Sequence, residues 1–93
     1  MKAIWNGKVI AESQETISLD GNAYFPPESI NRQFFKSGSY TSFCPWKGTA
    51  SYWDVIVDEK TNKNAAWYYP DPLPKAGHIK GYIAFWRGIQ IAQ

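Results

Sequence analysis

The stretch CPWKGTASYWDVIV, residues 44–57, decides the fold of this 93-residue chain. Its second part, Thr49–Val57, is rich in β-branched and aromatic residues, which pack well on a pleated and half-buried surface. Its first part, Cys44–Gly48, combines a proline with a terminal glycine, and this composition predicts a tight turn. A polar loop, Asp58–Asn64, leads to a second apolar run, Ala65–Tyr69. Together these segments predict a central β-hairpin.

Two registers of this hairpin are compatible with the sequence, because a loop of this length can close in more than one way. In the first register, Trp53 shares a face of the sheet with Trp67 and Tyr69. A slip of one residue exchanges the faces, so that Trp53 lies with Ala66 and Tyr68 instead. The sequence alone therefore does not determine which aromatic side chains enter the core.

The N-terminal segment Lys2–Ala11 predicts a second hairpin. Its turn is Asn6-Gly7, a favoured pair for a two-residue turn because both positions require positive φ. This turn would pair Ile4 with Val9 and place both side chains on a buried face. The same register would pair Ala3 with Ile10.

The next segment predicts another strand pair and then a helix. Glu15–Leu19 reverses at Asp20-Gly21 into Ala23–Phe25, and the prolines that follow cannot donate to a strand ladder. Pro27 suits the first position of a helix. That short helix would bury Ile30, Phe34 and Phe35 on one stripe.

The C-terminal third predicts a proline-rich connection, a single helical turn over Ala76–Lys80, and a last hairpin. Tyr82–Trp86 and Ile89–Ala92 would pair over Arg87-Gly88, which would place alternating apolar side chains on one face: Tyr82, Ala84, Trp86, Ile89 and Ile91. The whole pattern predicts a mainly β fold. We expect a small twisted antiparallel sheet, rolled into a partial barrel, with one short helix.

Composition predicts one domain, residues 1–93, because two domains would each be too small for a core. The hydrophobic fraction is 44%, and five Trp, six Tyr and five Phe supply large side chains to bury. The start of the chain lacks the apolar core of a signal peptide, and no apolar run reaches membrane-spanning length. We therefore expect a cytoplasmic protein without a membrane segment, and its oligomeric state stays open.

Charge and cysteine content make several partner classes unfavourable. Ten Lys and Arg are scattered among eight Asp and Glu, without the basic stripe that binds phosphates, and this pattern argues against nucleic acid as a partner. The single cysteine, Cys44, cannot form an internal disulfide. With one cysteine and one histidine, the chain has too few ligands for a structural zinc site, and it carries no cofactor motif.

Three spaced motifs resemble the bacterial domain-of-unknown-function family 427. They are the runs Cys44–Trp53, Asn64–Pro72 and Ile79–Phe85, and the N-terminal hairpin fits the same family. The resemblance implies a small β-rich fold similar in topology to the Mss4-like group. Such families sometimes carry a nucleotidyltransferase-like label, but this sequence has no phosphate-binding glycine loop and no acidic pair for magnesium.

Lys47 is the first candidate for a functional residue. It lies in a tight turn between Trp46 and Gly48, where an ammonium group could meet a carboxylate or phosphate. It also lies in the run that carries the family resemblance. The alternative is a lysine in a turn that faces only solvent.

Aromatic residues near Lys47 are the second group of candidates. Sixteen aromatic side chains are more than a domain of this size buries easily, so some are expected at the surface or in a pocket. A pocket for a base, a sugar or an amphipathic metabolite would be lined by Trp46, Tyr52, Trp67 and Tyr69. The alternative is ordinary core packing.

Three further residues could carry chemistry. Cys44 could be a nucleophile, although free cysteine is more often a small buried side chain. His78 and Asp71 flank the proline-rich loop and could form an acid–base pair, although a solvated histidine and a turn-capping aspartate explain them more simply.

These residues support three functional hypotheses. The first is a cytoplasmic domain that binds a small molecule with a polar head at Lys47. The second is an enzyme of group-transfer or hydrolytic type that combines Lys47 with His78, Tyr52 or Cys44. The third is a protein–protein interaction module that uses exposed aromatic side chains.

Overall fold

The computed structural model describes residues 1–93 and shows nine strands in three antiparallel sheets. This confirms the prediction of a mainly β antiparallel fold. The strands are β1 (Lys2–Trp5), β2 (Lys8–Glu12), β3 (Ile17–Leu19), β4 (Asn22–Tyr24), β5 (Phe35–Cys44), β6 (Gly48–Val57), β7 (Lys60–Tyr68), β8 (Ile83–Phe85) and β9 (Gln90–Ala92). The sheets have the orders β2-β1-β9, β3-β4 and β5-β6-β7-β8. The structure contains no apolar helix of membrane-spanning length.

The N-terminal hairpin forms over Asn6-Gly7, both with positive φ, and Ile4 pairs with Val9 as predicted. The prediction for the next pair was wrong, because a bulge places Ala3 opposite Ala11 instead of Ile10. The predicted buried face was also wrong. Ala3 is buried, whereas Ile4 is only half-buried and Val9 is exposed. A bulge adds one residue to a strand and so changes which side chains point inward.

The predicted helix after Pro27 is replaced by two 3₁₀ turns, Pro27–Ser29 and Arg32–Phe34. Between them, Ile30 has extended backbone angles and forms an antiparallel bridge with Ala11. The chain is thus held at the edge of the N-terminal sheet, where a continuous helix could not make this bridge. A third 3₁₀ segment, Pro74–Ile79, lies where one helical turn was expected.

The central sheet contains the predicted long hairpin of β6 and β7. The predicted seven-residue loop was wrong, because β7 begins at Lys60, directly after a turn at Asp58 and Glu59. An irregularity beyond Trp53 accommodates the difference. Trp53 lies opposite Ala66 and stacks on Tyr68, as in the slipped register.

The two C-terminal strands do not form the predicted hairpin. Ile83–Phe85 adds to the edge of β7, whereas Gln90–Ala92 pairs with β1 in a different sheet. The chain reverses at Arg87-Gly88, both with positive φ, but the reversal connects two sheets. The predicted apolar face is therefore divided: Ala84 and Ile89 are buried, and Trp86 and Ile91 are exposed.

The central sheet lies between two hydrophobic clusters. The larger cluster holds 12 buried residues, with Phe25, Val55, Val57 and Phe85 among the largest side chains. The smaller cluster holds six buried residues on the other face: Tyr24, Ala50, Tyr69, Ala76, Ile79 and Ala84. The candidate site lies beside this smaller cluster.

Candidate functional site

The turn between β5 and β6 fixes the position of Lys47. Its carbonyl oxygen accepts a hydrogen bond of 2.9 Å from the backbone N–H of Leu73, which ties the turn to the proline-rich connection. The next residue, Gly48, has a φ of 109°, a conformation that residues with a Cβ rarely adopt. The hydrogen bond joins the turn to the connection, and Nζ of Lys47 lies 5.7 Å from the ring of Tyr69 in the smaller cluster.

Lys47 is the one charged side chain that the fold buries, with 8% of the residue exposed. Its Nζ lies 2.9 Å from Oδ2 of Asp20, whose side chain is 51% exposed. Burial lowers the pKa of Lys47, but the hydrogen bond to Asp20 and the Coulombic influence of Tyr24 and Tyr69 outweigh it and raise this pKa above its usual value. The ammonium therefore stays protonated at neutral pH.

A cavity of about 190 Å³ opens beside Lys47. Its other walls are aromatic: Tyr52, Trp67, Tyr69 and Trp86. Strand register explains this grouping, because Tyr52 on β6 lies directly opposite Trp67 on β7. Tyr69 follows at the end of β7, and burial raises the pKa of its hydroxyl, although the nearby Lys47 charge opposes this. The phenol of Tyr69 is therefore neutral at physiological pH.

Hydrogen bonds hold the aromatic walls in place. The Tyr52 hydroxyl lies 2.9 Å from Oγ of Ser42. Nε1 of Trp67 donates to the hydroxyl of Tyr24 over 3.3 Å, and Nε1 of Trp86 donates to the backbone oxygen of Asn64 over 2.6 Å. Three of the four aromatic walls are thus fixed by hydrogen bonds, which preorganises the cavity for a ligand.

Asn64 links this wall to the neighbouring strands. It has a φ of 53°, and its backbone N–H donates to Oδ1 of Asp54 over 2.8 Å. Its own Oδ1 accepts hydrogen bonds from the backbone N–H groups of Ser39 and Tyr40. One asparagine thus organises the irregular region where β5, β6 and β7 adjust their registers.

The structure brings together Lys47, Tyr52, Trp67 and Tyr69, four of the candidates identified in the sequence. Trp46 does not line this cavity, although its ring lies 5.5 Å from Nζ of Lys47. It borders a separate surface depression beside Leu73.

The remaining candidates do not line the cavity. Cys44 is half-buried and packs against the smaller cluster. His78 and Asp71 are both exposed, and no hydrogen bond or ion pair joins them. No group of three or more His, Cys, Asp and Glu side chains lies close enough to hold a metal ion.

Three residues of the site were not identified from the sequence: Asp20, Asn64 and Trp86. Asp20 was interpreted only as a turn residue, since nothing in its surroundings indicates an ion pair with a distant lysine. Trp86 was assigned to a hairpin face. Its place in the cavity follows only from the pairing of β8 with β7. Asn64 begins the second family motif, but its position in a polar run gave no indication of a role at the site.

The fold and the site define a small antiparallel β domain that holds one buried lysine against an aromatic wall. The family model described as a domain of unknown function, DUF427, with the short name NTP_transf_9, matches residues 1–92. The chain therefore belongs to this family, which confirms the resemblance found in its motifs. No protein with a curated description matches the chain.

Proposed function

We propose that residues 1–93 form a single cytoplasmic domain that binds a small molecule with a polar head. Lys47 would contact this head, and Tyr52, Trp67 and Tyr69 would enclose its apolar part. The observation that supports the proposal is one cavity that joins a protonated, buried ammonium to four aromatic side chains. Apolar walls with a few well-placed polar groups are typical of ligand sites.

Geometry favours binding over the enzymatic hypothesis. A lysine acts as a base or nucleophile when its pKa is lowered, whereas the pKa of Lys47 is raised. Of its suggested catalytic partners, only Tyr52 lines the same cavity. Neither Cys44 nor His78 lines this cavity, and His78 is exposed.

Exposed aromatic side chains are the observation that favours the interaction-module hypothesis. Tyr40, Phe43 and Trp46 are 53%, 69% and 38% exposed. A flat aromatic patch would support such a module. The concave arrangement around Lys47 supports a small ligand instead.

Thermal unfolding in the presence of small metabolites, each with one ring and a polar head, tests the proposal. We expect at least one compound to raise the melting temperature of the wild-type chain, because a ligand that binds only the folded state stabilises it. Lys47→Met should abolish this shift. The matched control is Lys8→Met, which removes an exposed lysine from β2. A shift that survives Lys47→Met unchanged would exclude the proposed role of Lys47.

A further inference from the structure

The ion pair between Lys47 and Asp20 is unequal in its exposure to water. The Lys47 side chain is 10% exposed, and the Asp20 side chain is 51% exposed. A buried ammonium that loses its partner is strongly destabilising, whereas a half-exposed carboxylate can return to water at small cost. Asp20 is thus the partner that another anion can replace.

Asp20 also lies on a short structural element. It is the first residue of the Asp20-Gly21 turn, which joins two strands of three residues each. Its φ of 52° belongs to the turn and does not depend on the ion pair. The carboxylate can therefore leave Lys47 without a change in the strand pairing.

The size of the cavity limits how much of a ligand it can enclose. Its volume is about 190 Å³, and an apolar cavity of about 150 Å³ is enough to hold benzene. Pockets that enclose drug-sized ligands have volumes of about 300–1,000 Å³. The cavity therefore suits one six-membered ring with a small substituent, and it is too small to enclose a nucleotide.

The aromatic walls also favour a flat ring. Trp67 and Trp86 meet edge to face, at 81° with their centroids 5.9 Å apart, and the Tyr52 ring lies 6.3 Å from Trp86. An inserted ring can meet such walls in the offset or edge-to-face arrangements that aromatic pairs prefer. A cation in the same space would be repelled by the Lys47 ammonium.

We propose that the cavity takes a monocyclic aromatic carboxylate, whose carboxylate group displaces Asp20 from the Lys47 ammonium. The inference rests on the proposed function and adds the class of ligand and the mode of exchange. Asp20 is then an internal competitor that sets the affinity of the site for anions. A neutral ligand of the same shape would bind beside the intact ion pair.

Calorimetric titration with benzoate, benzyl alcohol and benzylammonium separates the contributions of charge and shape. The chains to compare are the wild type, Asp20→Asn, Lys47→Met and the control Asp58→Asn. Asp58 is a matched control because it is an exposed turn residue with a φ of 50°, and asparagine tolerates this conformation at both positions.

We expect Asp20→Asn to tighten benzoate binding about tenfold, roughly the value of one charge-assisted hydrogen bond. Benzyl alcohol should bind equally to Asp20→Asn and the wild type, and Asp58→Asn should leave all affinities unchanged. Lys47→Met should remove the preference for benzoate over benzyl alcohol.

Other outcomes overturn the inference in distinguishable ways. If Asp20→Asn tightens benzoate and benzyl alcohol equally, the residue obstructs the cavity and does not compete for charge. If benzylammonium binds the wild type more tightly than benzoate, the site selects cations. In both cases a binding site for small aromatic molecules remains. If none of the three probes binds any chain, the proposed function fails together with the inference.

Discussion

The central sheet carries aromatic side chains on both of its faces. The core face packs against the larger cluster, and the pocket face holds the cavity beside Lys47. On the core face, Trp53 stacks on Tyr68 with centroids 5.6 Å apart, and Phe35 packs edge to face against Trp53. On the pocket face, Tyr52 and Trp67 pair across the same two strands but leave a cavity beside Lys47. Along this hairpin, aromatic side chains therefore alternate between packing in the core and lining the cavity.

Polar partners distinguish the two faces more clearly than aromatic content does. On the pocket face, Tyr52, Trp67 and Trp86 each make a side-chain hydrogen bond. On the core face, Nε1 of Trp53 is buried and has no partner. Side chains fixed by hydrogen bonds can keep a cavity open, whereas the core face closes by contact alone.

The largest effect expected from this contrast separates two neighbours in sequence, Phe85 and Trp86. Phe85 is 7% exposed and contacts the rings of Phe25 and Phe35, whereas Trp86 is 41% exposed at the cavity rim. Phe85→Ala should lower the free energy of unfolding by about 3–5 kcal/mol, because it leaves a hole in the core. Trp86→Ala should cost less, about 1–2 kcal/mol, because it loses one hydrogen bond and its edge-to-face contact with Trp67 but leaves no hole in the core. Urea unfolding measures both values.

In a binding assay, Trp86→Ala should differ from a variant at another exposed aromatic position. Trp86→Ala removes a wall of the cavity and should weaken ligand binding, while Phe43→Ala, at an exposed position outside the cavity, should not. If Trp86→Ala proved as destabilising as Phe85→Ala, the division into a core face and a pocket face would be wrong.

A second prediction concerns the irregular strand region that supports the pocket wall. A Cβ at Gly38 would lie 2.9 Å from the backbone oxygen of Tyr52 and would also press on Oδ1 of Asn64. A side-chain rotation could not relieve the backbone contact. Gly38→Ala should therefore cost about 1–3 kcal/mol, the usual range for overpacking.

The matched control for Gly38→Ala is Gly77→Ala, because a Cβ at Gly77 would meet nothing within 4 Å. Chemical unfolding should show a lower midpoint for the first variant and an unchanged midpoint for the second. Equal stability of the two variants would show that Asn64 and the strand irregularities adjust freely.

A third prediction uses alkaline pH, which acts on the pocket face through Lys47 and Tyr69. Folding raises both pKa values, so the folded chain holds these protons more tightly than the unfolded chain. This contribution to stability is complete below the unfolded pKa values, at about pH 10, and is lost as the pH rises through the folded values. The free energy of unfolding should therefore fall above about pH 10.

Variants can assign this loss to the pocket. Measured by urea unfolding from neutral to alkaline pH, Lys47→Met and Tyr69→Phe should each show a shallower decline than the wild type. Lys8→Met, at an exposed position, should show the wild-type decline. A decline of the same slope in all four proteins would place its origin elsewhere in the chain.

Local sequence was sufficient to predict the features that depend on a few adjacent residues. The Asn6-Gly7 turn follows from the need for positive φ, and the strand character of β6 follows from its β-branched and aromatic residues. The register of β6 with β7 could not be predicted, because the pairing shifts at an irregularity beyond Trp53, where the Asn64 backbone donates to the Asp54 side chain. Pattern alone does not reveal such a contact.

The candidate site, too, could be predicted only where it depends on residues close together in the sequence. Lys47 could be identified as a candidate because packing does not explain a turn lysine within an aromatic stretch. Tyr52 and Trp67 could be placed on one face only once the register was known. Asp20 could not be predicted, since its pairing with Lys47 depends on how a separate two-stranded sheet lies against the central one.

The smallest expected effect tests the role of polar partners directly. Trp53→Phe removes some buried area but also removes the unpaired Nε1–H, and a buried donor without a partner costs about 1–3 kcal/mol. These two effects oppose each other, so the net change in unfolding free energy should be within about 1 kcal/mol. Trp67→Phe loses a similar area together with a hydrogen bond to Tyr24, and it should cost more. If urea unfolding showed the larger loss for Trp53→Phe, contact area alone would govern both faces, and the hydrogen bonds of the pocket face would have no part in holding its walls.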